Sequence, residues 1–344
     1  MNISDKPTAS SVASSMVRIG ILVYPGCLRS GVIVPVDVFR IAALLMQARP
    51  AAQRVQISTC WISARGGGKV DVDGVQFDTL APDAEQLDVL MVPGMDHRSP
   101  DDLARHLPGL VPEQELVRRF LHSKRLLLAS CSGTCLAAQT GLLDGRRTTT
   151  SWWLAPYFRR QYPRVILEAE PLVVQDGMYV SSGGVASYLD LSLWLLGHFA
   201  GDELRQMTAR ILVTDDKRSS QAPYVAAALL QGHGNAVIER ARRWLNQRLD
   251  SNSGWDIAGL ATHCNISSRT LLRRFHETLG VSPAQYVQQL RVERGKALLE
   301  TTLLSHEEIA GRCGYSDVST FSKIFKQQAR LTPAAYRSRF GLRS

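Results

Sequence analysis

The chain of 344 residues predicts an α/β domain with a parallel sheet, followed by an all-α domain made of two helix-turn-helix units. Three observations carry this reading. Short apolar runs alternate with helical segments from Val17 onward; after Asn235 the pattern is wholly helical and repeats itself at an offset of about 50; and the net charge of +9 is concentrated in that repeat. Such a length suits two domains better than one core. Hydrophobic residues at 45% and charged residues at 21% place the chain among globular proteins.

The strands come first. Ile19–Tyr24, Val55–Ile62, Leu87–Val92 and Arg125–Ser130 are short, largely apolar and bounded by Gly, Pro or polar residues. Val34–Ala48, Pro112–His122 and Cys131–Thr140 have helical length and spacing. Strands alternating with helices predict a parallel sheet covered on both faces. Ligands of such sheets sit beyond the carboxyl ends of the strands, which directs attention to the turns after Tyr24, Val92 and Ser130. The expected domain spans 17–215, after a polar, Ser-rich tail over 1–16 that reads as disordered and as neither a secretory signal nor a membrane span. Residues 216–236 read as a linker, in which Tyr224–Leu230 is open to a helical reading.

Charge and cysteine usage narrow the function classes. Residues 1–235 hold 23 Lys/Arg and 22 Asp/Glu, whereas 236–344 hold 17 and 9, so the basic excess belongs to the C-terminal third. This asymmetry points to a polyanionic partner. The six cysteines form no C-x-x-C pair, which suits free thiols in a reducing, cytoplasmic setting and predicts neither metal nor cofactor.

In the last domain, 237–341, Thr270/Thr320, Phe275/Phe325, Pro283/Pro333 and Tyr286/Tyr336 match at an offset of 50, and Leu260/Ile309 and Cys264/Cys313 at 49. Two copies of one unit follow, at about 256–279 and 305–328. Ser267, Ser282, Ser305 and Thr332 are expected N-caps, Ser305 with Glu308 as a capping box, and Ser316 or Asp317 starts the last recognition helix. Leu271, Phe275 and Leu279 should be buried in one unit and Phe321, Ile324 and Phe325 in the other. The opposite faces present Ser268, Arg269, Thr270, Arg273 and Arg274, and Ser319, Thr320, Lys323 and Lys326. A single Arg pair is commonly a solvated face. Repetition at matching positions within a segment of net +8 favours contact with guanine edges and phosphates of duplex DNA.

The string from Ile309-Ala310 through Gly314-Tyr315-Ser316-Asp317, Phe321-Ser322 and Phe325-Lys326 to Leu331-Thr332-Pro333 closely resembles the AraC/XylS family of regulators. The resemblance implies promoter DNA and RNA polymerase as partners, an activating role and two recognition helices in successive major grooves. The chain departs at Arg330, where that family has glycine and the first copy has Gly280, and at Leu272, where many relatives carry a polar reader.

In the first domain Arg125–Ser130 runs directly into Cys131-Ser132-Gly133-Thr134, an elbow that would expose a thiol near a helix N-terminus. Spacing alone also fits a buried small residue. Val34-Pro35-Val36-Asp37, Val92-Pro93-Gly94, Cys131-Ser132-Gly133, Thr149-Thr150-Ser151-Trp152 and Asp190 resemble the PfpI-type, glutamine-amidotransferase-like superfamily in its GlxA-type subgroup, an amidotransferase-like, flavodoxin-like sandwich. Enzymatic relatives carry a glutamate and a histidine where Asp37 and Ser151 stand, and serine cannot act as an imidazole base. His97 and His122 lie in polar stretches and read as surface residues. The resemblance therefore implies a catalytically silent pocket lined by Asp37, Gly94, Met95, Cys131, Ser132, Ser151 and Trp152, a homodimer through this domain, and a small nitrogenous effector of the amino acid or quaternary amine class. Trp152 and Trp153 are candidates for an aromatic box around an ammonium. The competing readings are a cysteine-dependent amidase that also binds DNA, and a domain that only dimerises.

Overall fold

The computed structural model describes residues 16–50, 54–82, 86–123, 125–214, 218–225, 236–250 and 254–341. Apart from Met16, the expected tail lies outside these residues, as does most of the expected linker, including 226–230 of the segment open to a helical reading.

The first compact unit comprises residues up to Thr150 together with Leu172–Arg218. Its six-stranded sheet is built from β1 (Met16–Leu22), β2 (Gln56–Ile62), β5 (Val89–Val92), β6 (Leu126–Ser130), β7 (Val173–Asp176) and β8 (Tyr179–Ser182), in the order β2-β1-β5-β6-β8-β7. All neighbours are parallel except the β8–β7 edge hairpin. Every residue of β5 and β6 is buried, as central strands covered on both faces require. Successive crossovers move outward to β2 on one side of β1 and to β5 on the other. The switch point therefore lies between β1 and β5, and the crevice at their carboxyl ends is where the turns after Tyr24, Val92 and Ser130 converge.

The covering helices are α1 (Arg29–Gln47), α2 (Pro100–His106), α3 (Val111–His122), α4 (Gly133–Gln139), α6 (Tyr188–Ala200) and α7 (Asp202–Ile211). The first begins a turn and a half earlier than the sequence suggests. Pro35 reads as a helix opener, since its ring suits the first turn, but it stands inside α1. Long and apolar enough by composition to span a membrane, α1 buries Val32, Pro35, Val38, Phe39, Ala42 and Met46 against the rest of this unit. A hairpin of β3 (Gly68–Val72) and β4 (Val75–Thr79) adds strands that the apolar runs do not announce, because most of its residues are exposed.

The second unit comprises Ser151–Pro171 and the chain from Ser219 onward. Segment 151–171 holds α5 (Ala155–Gln161) and groups by its contacts with the helical residues. Gln221 explains part of this. Its backbone N–H donates to the Glu170 carbonyl (2.8 Å), its side-chain amide donates to the Ala169 carbonyl (3.2 Å) and accepts from Trp152 N–H (3.1 Å). Lys296, 5% exposed, donates to the Val225 carbonyl and pairs with Glu293, each at 2.7 Å.

Seven further helices follow: α8 (Ala236–Asp250), α9 (Ile257–His263), α10 (Ser268–Leu279), α11 (Pro283–Thr301), α12 (His306–Arg312), α13 (Val318–Ala329) and α14 (Pro333–Phe340). They form two cores of like composition. Leu260, Ala261, Cys264, Leu271, Phe275 and Tyr286 belong to the first, and Ile309, Ala310, Cys313, Phe321, Phe325 and Tyr336 take the matching places in the second. Leu279 and Ile324, expected in these cores, pack at their margins. Helix α11 gives Tyr286 and Val287 to one core and Val292 and Leu299 to the other. Nineteen residues at 1.5 Å each make it ~28 Å long. Ser267, Ser282, Ser305 and Thr332 cap their helices as expected, and Asp317, not Ser316, caps α13.

Candidate functional site

At the end of β6 the chain turns through Cys131 with φ +55°, a left-handed conformation that a non-glycine residue adopts only where its surroundings enforce it. The Cys131 N–H donates to the Ser182 carbonyl (2.9 Å), and the Thr134 and Thr150 hydroxyls lie 2.7 and 3.1 Å from the Cys131 carbonyl oxygen. Gly133 allows the helix behind the elbow to approach the end of β5: a Cβ there would stand 2.6 Å from the Pro93 carbonyl oxygen. Beyond the end of the neighbouring β5, a Cβ on Gly94 would lie about 3 Å from the Cys131 Cβ, the Ser132 Oγ and the Tyr188 hydroxyl. The structure thus brings together Gly94, Met95, Cys131 and Ser132, four of the residues expected to line a pocket.

The polar groups there are already engaged. Gly94 N–H donates to the Tyr188 hydroxyl (2.9 Å) and Met95 N–H to Ser132 Oγ (2.9 Å), while the Tyr24 hydroxyl donates to the Pro93 carbonyl (2.8 Å). An oxyanion hole needs backbone N–H groups aimed at the reacting atom; these two are occupied by side chains of the same unit. Cys131 and Ser132 are fully buried. Burial pushes the Tyr24 and Tyr188 phenols well above their usual range. Burial also raises the Cys27 thiol to about 11 and the Cys135 thiol above its usual value. These are surroundings that disfavour anions, the reverse of the electropositive setting in which a thiolate attacks. Neither histidine considered above supplies a base: the His97 Nδ1 lies 2.9 Å from the Met95 carbonyl oxygen, and exposed His122 contacts the Arg118 carbonyl.

Of the other three expected lining residues, Asp37 is not part of this cluster. Asp37 is exposed on α1. Gly31 is an α1 residue packed at this cluster, its Cβ position meeting Pro93 and the Tyr188 ring at 2.6 Å. Six residues on, Asp37 is rotated by ~240° around the helix and displaced by ~9 Å. Its expected place at the pocket is therefore corrected to the solvent face of α1. Ser151 and Trp152 are buried and belong to the second unit, where Trp152 lines a cavity of about 580 Å³ with Arg242, Tyr286 and Lys296. The Trp152 and Trp153 rings meet edge to face, 5.4 Å apart at 88°, which is a packing contact and not two walls of a box.

In the second unit the expected reading faces are open. Arg269, Arg273 and Arg274 on α10 and Ser319, Thr320, Lys323 and Lys326 on α13 are exposed; Ser268 and Thr270 are half-buried beside the Ser267 cap. Leu271 and Phe275, and Phe321 and Phe325, are fully buried on the opposite sides. Cap and core together fix the rotation of each helix, which is why the same positions point outward in both. One exposed ion pair, Arg273 with Glu277 at 3.8 Å, crosses the first face. At such exposure it is worth ~0.2–1 kcal/mol and is readily exchanged for a phosphate. Sequence reasoning missed Tyr188 and Gly31, whose part at the elbow appears only when α1 and α6 are placed.

The parallel sheet with its cysteine elbow, followed by paired helix-turn-helix units, defines a two-part architecture with known counterparts. The chain belongs to the DJ-1/PfpI family, which it matches over residues 17–197, and it carries an AraC-type helix-turn-helix domain, matched over 260–339. The HTH-type transcriptional regulator GbdR of Pseudomonas aeruginosa is 29% identical over 210 residues, 61% of this chain and 56% of the relative. The HTH-type transcriptional regulator GlxA of Rhizobium meliloti is 27% identical over 61% of this chain and 64% of its own length. The HTH-type transcriptional regulator ArgR of P. aeruginosa is 27% identical over 63% and 65%. The match thus spans between about half and two thirds of the length of these relatives.

Proposed function

We propose that the chain is a cytoplasmic, sequence-specific DNA-binding transcription regulator, acting as an activator that engages RNA polymerase and dimerises through its first unit. The observation that carries this is the duplicated face: Arg269 and Arg273 on α10 and Ser319 and Lys323 on α13, at matching positions on two helices whose rotation is fixed by caps and cores. The regulator names of the relatives support it. Its effector is a small nitrogenous metabolite of the amino acid or quaternary amine class, received at the elbow by Gly94, Met95, Cys131 and Ser132 once the Tyr188–Gly94 hydrogen bond opens. Catalysis by Cys131 is the weaker reading, because the thiol is buried and the adjacent N–H donors are engaged.

The test is binding of the full chain to duplex DNA across a salt series. Each phosphate neutralised adds about −0.9 to the slope of log affinity against log salt. A steep negative slope, weakened by Arg273→Ala and by Lys323→Ala at different parts of one site, is expected; a slope near zero excludes the reading. For the effector, amino acids and quaternary amines are screened by their effect on the melting temperature of the full chain. Consumption of such a compound by wild type but not by Cys131→Ala would favour the hydrolase instead.

A further inference from the structure

We infer that Leu272 reads a base, taking the C5 methyl group of a thymine in the half-site bound by the first helix-turn-helix unit. The inference rests on the DNA-binding reading above. At 100° per residue, Arg269, Leu272, Arg273 and His276 occupy one arc of ~100° on α10, with Leu272 at the edge nearer the buried Phe275 and Leu271. Leu272 is 41% exposed, the most open large apolar side chain inside a helix among the described residues of α8 to α14; Leu303, in the turn between α11 and α12, is 79% exposed. Single exposed leucines are ordinary on protein surfaces. This one stands at the edge of the outward arc, ~60° from Phe275, three residues after Arg269 and next to Arg273 in the chain.

The major groove offers one apolar group on its base edges, the thymine methyl, and leucine is a chemical match for it. The flanking guanidiniums suit the O6 and N7 of guanine, so the first unit should select a thymine beside guanine contacts. Fifty residues on, the matching position is Ser322, flanked by Ser319 and Lys323. The two units are therefore unequal, and dependence on a methyl group belongs to one half-site alone.

The experiment starts from duplexes selected by the full chain out of a random pool. Each thymine of the selected site is then replaced singly by deoxyuridine, which removes the methyl and leaves every hydrogen-bonding edge in place. Wild type should lose about fourfold in affinity at one position, the equivalent of one buried methyl or methylene at ~0.8 kcal/mol. Leu272→Ser should bind the thymine and uracil versions equally, with a single cooperative melting transition to show that the helical unit stays folded. The sensitive position should lie in the half-site weakened by Arg273→Ala and not in that weakened by Lys323→Ala. No sensitive thymine, sensitivity that survives Leu272→Ser, or sensitivity in the Lys323 half-site would each overturn the inference. Selection that yields no preferred duplex would instead remove the reading of sequence-specific binding on which it rests.

Discussion

Arg330 ends α13 with φ +57°, where the first unit has Gly280 at φ +70°. A side chain in this conformation costs about 1 kcal/mol relative to glycine. Its guanidinium makes a two-pronged contact with the Glu170 carboxylate at 2.5 and 2.6 Å, which also raises the pKa of Arg330. The side chains are 53% and 44% exposed, so solvent screens the pair, and its contribution is ~0.2–1 kcal/mol, with the two-pronged geometry favouring the upper end. The two effects nearly cancel. Arg330→Gly should therefore leave stability within ~0.5 kcal/mol of wild type, whereas Arg330→Ala, which keeps the strain and loses the pair, should destabilise by up to ~1 kcal/mol. Gly280 provides an internal control: nothing lies within 4 Å of its Cβ position, so Gly280→Ala should show the conformational cost of about 1 kcal/mol without a steric component. The assay is amide hydrogen exchange of α10, α13 and α14 in the full chain, which reads each helical unit separately. Equal protection in Arg330→Gly and Arg330→Ala would refute the strain argument, and wild-type protection in Glu170→Gln would refute the pair.

Further outcomes follow from other sites. The Asp317 carboxylate accepts from Thr320 N–H and Ser319 Oγ at 2.7 Å each, and these bonds lower its pKa to about 2. The folded value lies below the unfolded one, so the stabilisation is complete above pH ~4 and is lost as pH falls through about 2. Asp317→Asn should remove this part of the acid dependence of α13 exchange while keeping a competent cap. Gly133→Ala places a methyl 2.6 Å from the Pro93 carbonyl oxygen and 2.7 Å from that of Val92, so backbone must move, and a loss of ~1–3 kcal/mol in denaturant titration is expected. Under native conditions a thiol reagent should label half-buried Cys60 before fully buried Cys131. Tyr188→Phe, which frees Gly94 N–H, should speed labelling of Cys131; an unchanged rate would mean that this hydrogen bond does not hold the elbow shut.

What the sequence disclosed and what it concealed divides along the range of the interactions. β5 and β6 were legible because a central strand is apolar on both faces, and the helical repeat because its core residues recur with chemically matched caps. Asp37 was misplaced because motif order carries no information about helical phase: once α1 starts at Arg29, Gly31 packs at the elbow cluster and Asp37 faces solvent. The hydrogen bond from Gly94 to Tyr188 joins residues 94 apart in the chain, and the pair of Arg330 with Glu170 joins residues 160 apart, so no local pattern encodes either. Yet Arg330 was already conspicuous as a departure from glycine at a helix end. A side chain that persists in a conformation suited to glycine needs a compensating interaction, and because the turn itself provides none, the partner has to come from elsewhere in the chain. Leu272 follows the same logic. It breaks the polar pattern of an exposed helix face while 41% exposed, and the compensation for that exposure is to be sought in the partner that this face binds.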